Sequence, residues 1–407
     1  MKQRLYYRTI WDELSSTKNM VFLAGPRQSG KTTLSKMISE NYANSLYFNW
    51  DIYEDRKIFL SNPIFFEQVQ RIDNSLPLII LDEIHKYKEW KNYLKGVYDR
   101  YNNQYKFLVS GSGRLDIYQK GGDSLAGRYF LFHLWPFTIG EICHEKSRLI
   151  DDFLENPLNI TVQYSLQYDE IWDQISQLSG FPEPFLSSQK AAWRRWSRIY
   201  SQQLIGEDIR NFTQIKSITD LENLYLLLPD KVGSALSITS LSQDLQVSYN
   251  SVNQWISLFE RFYILFTIRP WTKKVSRAIH KERKIYILDV PRIKNPGARF
   301  ENMAAIELYR AITCWNDMGY GFFSLHYIKN KEKQEVDFLI ANDNEPILLI
   351  ETKLSDTKPS RSLINFQNQL NIPAVQLIQS GKSFQVLSNN NLPILVSPAS
   401  LFFAGMP

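Results

Sequence analysis

Cysteine is nearly absent: the 407 residues contain two, Cys143 and Cys314, far apart in the chain. That excludes a disulfide framework and a cysteine-built zinc cluster, and it fits a reducing compartment. No apolar run approaches the roughly 20 residues that a membrane-spanning helix needs. The opening segment, MKQRLYYRTIWDEL, is polar and charged, unlike a signal peptide. Low-complexity tracts and internal repeats are also lacking. The expectation is a cytoplasmic chain that does not enter a membrane. Its composition is ordinary for globular proteins, 44% hydrophobic and 22% charged. Its length suggests about two to four domains.

Net charge is a modest +5, but it is unevenly placed. From Arg269 to Arg299 there are ten Lys/Arg, including Lys273, Lys274, Arg277, Lys281, Arg283 and Lys284, against Glu282 and Asp289. A local basic stripe on a near-neutral body suits a polyanion, although a solvated charged hairpin has the same composition.

The front third carries the clearest chemistry. MVFLAGPRQSGKTTL reads as a buried strand, Met20–Ala24, a glycine-rich loop, and a helix starting near Lys31. Gly25, Pro26, Arg27, Gln28, Ser29, Gly30, Lys31 and Thr32, with Thr33 behind them, fit G-x-x-x-x-G-K-[ST] at every fixed position. Such a loop turns backbone N–H groups and a helix N-terminus toward phosphate oxygens. Lys31 is expected to reach the β- and γ-phosphates of ATP and Thr32 to hold Mg2+. A second apolar strand, Leu78–Leu81, ends in Asp82-Glu83. Acids at a strand's C-terminal end lie where open α/β sheets bind ligands. Asp82 is expected to orient Mg2+ and Glu83 to polarise the attacking water. A third strand ends in Ser110 and Ser112, which either sense the γ-phosphate or form a polar turn. Arg114 and Arg128 are candidates for neutralising developing charge.

GPRQSGKTTL, LDEIHKYKEW, VSGSGRLD and LAGRYFLFHLWPFTIGEI closely resemble a large prokaryotic group of AAA-like ATPases. The C-terminal half of that group is known only as a domain of unknown function. GFPEP at Gly180–Pro184 also looks like the group. The resemblance implies ATP binding and a fused DNA-associated module. Two departures stand out: Glu207-Asp208 where the group tends to carry Arg-Asp, and Asp289-Val290-Pro291-Arg292 where it usually has Asp-x-Gly-Leu.

The middle of the chain reads as helical from Leu166 to Leu228, with Trp193, Trp196 and Tyr200 as a packing stripe. Next, Ser237 or Thr239 and then Ser248 can cap two short helices joined by a tight turn, a helix-turn-helix. A strand at Phe262–Arg269, the basic linker and a strand at Lys284–Leu288 would form a wing. The second helix would expose Tyr249, Asn250, Ser251, Asn253 and Gln254 to base edges. Lys273, Lys274, Arg277 and Lys281 would contact phosphates. A winged helix used for protein contacts has the same pattern.

In the tail, a helix near Phe300–Thr313 places Glu301 at the edge of a packing face. A hairpin turning at Asn342–Asn344 puts Asp337 opposite Glu351, with Cβ atoms roughly 5 Å apart. Two carboxylates that close repel unless a proton or a cation intervenes. Lys353 shares a face with Glu351. Glu301, Asp337 and Glu351-x-Lys353 resemble the PD-(D/E)xK nuclease pattern, which implies a Mg2+ site and a water-positioning lysine. A catalytically silent copy that only binds nucleic acid, or a structural ion pair, fits the same residues.

These readings give an α/β multidomain chain. A P-loop parallel-sheet core is expected at 1–145, a helical lid at 146–230, a winged helix at 231–298 and a nuclease-like α/β domain at 299–407. The expected function is ATP hydrolysis with Mg2+, in association with DNA. The alternative is a nucleotide-gated switch that binds a protein partner or a second copy of itself, with an inactive tail.

Overall fold

The computed structural model describes residues 4–111, 125–143, 150–210, 217–273, 282–389 and 392–406. Two compact units emerge. The first comprises Met1–Pro136 with Arg261–Tyr263, the second Phe137–Glu260 with Ile264–Pro407.

Five strands form the first unit's sheet: β1 (Met20–Ala24), β2 (Ser45–Asn49), β3 (Leu78–Asp82), β4 (Lys106–Ser110) and β5 (Phe130–His133). Their order is β2-β3-β4-β1-β5, and every pairing is parallel. All five residues of β1 and of β3 are buried. Continuous apolar runs are what a parallel sheet covered on both faces demands. The crossover helices Lys31–Ser39, Tyr53–Ser61 and Trp90–Tyr101 supply cover. Phe66 packs edge-on against Tyr101, Tyr105 and Phe107, at 5.2, 5.3 and 5.6 Å between ring centroids. Burying a ring of this size contributes roughly 1.5–3 kcal/mol. The strand order has a consequence for chemistry. Because β4 lies between β1 and β3 and all three are parallel, the loop after β1, Asp82 and Ser110 converge at the C-terminal ends of these strands.

The second unit opens with helices, among them Leu166–Leu178, Pro182–Ser187 and Lys190–Gln203. Trp196 and Tyr200 are buried, as a packing stripe requires, and Trp193 is half-buried. Two short helices follow, Ile238–Asp244 and Tyr249–Arg261. Ser237 Oγ accepts from Ser240 N at 3.1 Å and Ser248 Oγ from Ser251 N at 3.0 Å, so both expected caps form.

The sheet of this unit has eight strands. β6 (Leu265–Pro270) pairs antiparallel with β7 (Lys284–Ile287). β6 also pairs in parallel with β8 (Phe323–Lys329), through Arg269 and Pro270. Next come β9 (Glu335–Asn342), β10 (Glu345–Lys353), β11 (Ala374–Ile378), β12 (Gln385–Asn389) and β13 (Leu392–Pro398), in the order β12-β13-β11-β10-β9-β8-β6-β7. The expected wing strands therefore lie in the same sheet as the tail, and a division at 298/299 cuts through one sheet. The division expected at 145/146 also differs from the observed one, because the first unit ends at Pro136 and recruits Arg261–Tyr263. The helix expected near Phe300–Thr313 runs further, from Pro296 to Asp317, with Asn295 accepting from Ala298 N as its cap. The β9–β10 turn is Asp343-Asn344, both with positive φ (49° and 65°), as a two-residue hairpin turn matching the strand twist requires. A register shift between Pro346 and Leu348 is followed by Ile350 opposite Phe338, which makes Asp337 and Glu351 next in register. No helix among the described residues is long and apolar enough to cross a membrane.

Candidate functional site

The loop after β1 depends on its glycines. Gly25 has φ 137°, and a Cβ there would meet the Leu134 carbonyl oxygen at 2.3 Å. Gly30 has φ 98°, left-handed, and starts the helix Lys31–Ser39. Neither position accepts a side chain without strain. Lys31 is buried, and its Nζ donates to the carbonyls of Gly25 (3.0 Å) and Pro26 (2.7 Å). The ammonium thus lies across the mouth of its own loop. Behind the loop sits Arg4, only 3% exposed. It donates to the carbonyls of Ser29 and of Trp135, both at 2.7 Å.

Asp82 closes the other side. Its carboxylate accepts from Thr32 Oγ1 at 2.7 Å, Tyr47 OH at 2.8 Å and Ser110 Oγ at 2.6 Å. Three hydroxyl donors hold one buried carboxylate beside the N-terminal end of the helix Lys31–Ser39. Burial and the neighbouring Asp82 push the Tyr47 phenol upward, so it stays a donor. Glu83 follows with a left-handed backbone, φ 57°. Its carboxylate lies 3.2 Å from Lys86 Nζ and 3.6 Å from His85 Nε2. Lys86 also reaches Asp51 at 2.6 Å.

The expected residues Gly25 to Thr32, Asp82 and Ser110 therefore meet. Arg128 grips Asp99 through two bonds, of 2.7 and 3.1 Å, as a planar guanidinium matches a carboxylate bidentately. Ser112 and Arg114 lie outside the described residues. Arg4 and Tyr47 are the two members that sequence reading missed. Tyr47 had one signal, an aromatic with a polar tip on a strand beside β3. Arg4 had none, since its contacts lie 25 and 131 residues away.

On the helix Tyr249–Arg261, Tyr249, Asn250, Asn253 and Gln254 are exposed. Asn253 Oδ1 accepts from Arg283 at 2.8 Å. Lys273 is exposed. Lys274, Arg277 and Lys281 lie outside the described residues.

In the tail, every expected carboxylate has protein partners. Glu301 Oε1 accepts from Tyr286 OH at 2.7 Å and from Lys284 Nζ at 3.3 Å. Burial, and then the nearby Asp337, push the Glu301 carboxyl upward. Lys284 is 2% exposed and also bonds Glu335 at 2.7 Å. Asp337 accepts from Thr352 N (2.8 Å) and Thr352 Oγ1 (2.7 Å). Glu351 binds Lys353 at 2.6 Å and accepts from Ser360 Oγ. No set of three or more acidic, histidine or cysteine residues disposed to hold a metal occurs among the described residues. Asp337 lies close enough to push both the Glu301 and the Glu351 carboxyls upward, but each of the three is engaged separately. At the two departures, Glu207-Asp208 falls in a π-helical turn, and buried Asp289 accepts from Trp193 Nε1 at 2.9 Å.

Residues 17–143 match a family described as an AAA domain. Residues 169–291 and 296–396 match two families each described as a domain of unknown function (DUF8612 and DUF4143). An uncharacterized protein of Methanocaldococcus jannaschii is 21% identical over 91% of this chain and 82% of its own. One of Mycobacterium tuberculosis is 20% identical over 89% of this chain and 77% of its own. Among solved structures, a Walker-type ATPase of Pyrococcus abyssi aligns with 72% of this chain and 95% of its own, at 12% identity and a TM-score of 0.45. The parallel sheet, the glycine loop after β1 and the match at 17–143 give that stretch an AAA-like ATPase fold.

Proposed function

We propose that the protein hydrolyses ATP with Mg2+ and does so in association with DNA. The observation that carries the reading is the convergence on Asp82. Thr32, Tyr47 and Ser110 all donate to it, beside a lysine whose ammonium spans a glycine loop. The residues fit the ion: Thr32 Oγ1 and Asp82 are oxygen donors already in contact, as a hard divalent cation requires. When bound, Mg2+ would neutralise charge on the β- and γ-phosphates.

The chain's own residues do the rest. Backbone N–H groups of the loop bind phosphate oxygens. Lys31 exchanges two carbonyl contacts for phosphate oxygens, a stronger, charge-assisted pairing. Ser110 fixes the orientation of Asp82. Glu83, once released from Lys86, accepts a hydrogen bond from the attacking water and aligns it. Exposed Asn250 and Asn253 would face base edges, and Lys273, Lys274, Arg277 and Lys281 would contact phosphates.

The hold of Lys86 on Glu83 favours a second reading, a switch whose basal hydrolysis is low until a protein partner releases the acid. ATP turnover measured with duplex, single-stranded and branched DNA, at low and high salt, separates the two. Stimulation by DNA that fades steeply with salt supports the DNA-associated ATPase. Turnover indifferent to every DNA form supports the switch. Absence of nucleotide binding removes both.

A further inference from the structure

We infer that the nuclease-like tail carries its own cation, the Lys284 ammonium, in place of a divalent metal ion. Lys284 comes from β7, which joins the tail's sheet only through β6, so no short motif includes it. From the sequence it looked like one more charge in a basic, solvated run. In the fold it is almost completely buried, bonded to Glu335 at 2.7 Å and Glu301 at 3.3 Å, and it lies 5.4 Å from the centre of the Tyr327 ring.

A buried ammonium is tolerated only when carboxylates surround it. One of them, Glu301, belongs to the set a metal would need, and Asp337 of that set lies within electrostatic range of the same ammonium. A divalent ion on hard oxygen donors requires several of them within about 2.0–2.6 Å, converging on one point. Here the donors diverge. Glu301 serves Lys284 and Tyr286, Glu335 serves Lys284 and Lys329, Glu351 serves Lys353 and Ser360, and Asp337 serves Thr352. Entry of a divalent ion would set two positive centres against one another. It would otherwise expel Lys284 from its acids and leave a buried charge without compensation, a costlier state than the one it replaces. The residues present therefore do not fit Mg2+ or Mn2+, although the sequence pattern calls for them. The tail is then a fold that keeps the architecture of a nuclease without its ion, and DNA that meets it stays intact.

The test is Mn2+ binding followed by electron paramagnetic resonance on the full, nucleotide-free chain. Comparison with Asp337→Asn isolates the tail, because Asp82 and Thr32 are unchanged in both. We expect identical binding curves for these two proteins. We expect Lys284→Met to gain one Mn2+ per chain, and Lys284→Met with Asp337→Asn to lose it again. Tail-dependent Mn2+ binding in the unsubstituted chain would overturn the inference, as would a folded Lys284→Met that gains none. Should Lys284→Met not fold, thermal unfolding of the unsubstituted chain decides. Millimolar Mn2+ should leave its midpoint where it is in metal-free buffer, and a rise that disappears in Asp337→Asn refutes the built-in cation. This readout is independent of ATP hydrolysis, so its failure leaves the ATPase reading untouched.

Discussion

Thr32 Oγ1 donates to Asp82 Oδ2 at 2.7 Å, joining the first turn of the phosphate-loop helix to the end of β3 across 50 residues of chain. The bond ties together the two places to which the proposed nucleotide chemistry is assigned. Lys31→Ala should therefore abolish tight ATP binding, a fall of roughly 100-fold or more, because the main positive charge on the β/γ-phosphates is gone. Thr32→Ala should weaken binding chiefly when Mg2+ is present. Isothermal titration with and without Mg2+ separates the two, and unchanged affinity in Lys31→Ala rejects the cradle.

Glu83 and Lys86 make a paired prediction. Glu83→Gln should bind ATP normally and turn it over roughly 100-fold more slowly, the usual size of a lost acid–base contribution. Lys86→Ala frees Glu83 from its 3.2 Å partner and should raise basal turnover. Normal hydrolysis by Glu83→Gln would show that another group aligns the water.

Arg4 acts from behind the loop. Arg4→Ala leaves the carbonyls of Ser29 and Trp135 without its two 2.7 Å bonds in a buried setting. Each orphaned group costs about 1–3 kcal/mol. Denaturant unfolding should show that loss, and nucleotide affinity should drop with it. A stable variant with full affinity would mean the loop holds its shape without support.

What the sequence disclosed follows the range of each interaction. The turn of the loop after β1 was legible because its glycines take backbone angles that other residues avoid, and the place of Asp82 because a carboxylate ends an apolar run. The Asp343-Asn344 turn was legible because those residue types tolerate positive φ. Arg4 and Tyr47 were not, since each acts on atoms far away in the chain. The parallel pairing of β6 with β8 was equally hidden, and it puts β6 and β7 in one sheet with the strands that follow. Lys284 shows the limit of counting charge. A basic run reveals how many cations there are, and nothing about which one is buried among acids.

The basic linker carries a DNA prediction. Replacing Lys273, Lys274, Arg277 and Lys281 with Ala should weaken binding to every sequence. It should also flatten the dependence of log affinity on log salt by about 0.9 per lost phosphate contact. Asn250→Ala with Asn253→Ala should instead relax sequence preference at unchanged slope. Fluorescence anisotropy over a salt series reads both. Retention of the full slope in the fourfold variant removes this linker as the DNA surface.

Glu307 sets a pH dependence in the second unit. It is 4% exposed, accepts from Ile139 N at 3.3 Å, and faces Arg310 at 3.6 Å, with Glu141 also within electrostatic range. Burial outweighs the arginine and pushes its carboxyl from 4.5 up to about 7. The folded chain thus holds this proton more tightly than the unfolded chain. Below about 4.5 both states are protonated and the stabilisation is complete. As pH rises from there through about 7 the folded state must ionise a buried acid, and stability falls. The loss is bounded at roughly 3 kcal/mol, since each pKa unit is worth about 1.4 kcal/mol. Glu301, raised in the same direction, adds to the trend. Urea unfolding of the unsubstituted chain at pH 5 and pH 8 should show the lower midpoint at pH 8, and Glu307→Gln should shrink the difference. A midpoint that rises between pH 5 and 8, or a difference unaltered in Glu307→Gln, would mean that Arg310 keeps Glu307 ionised throughout.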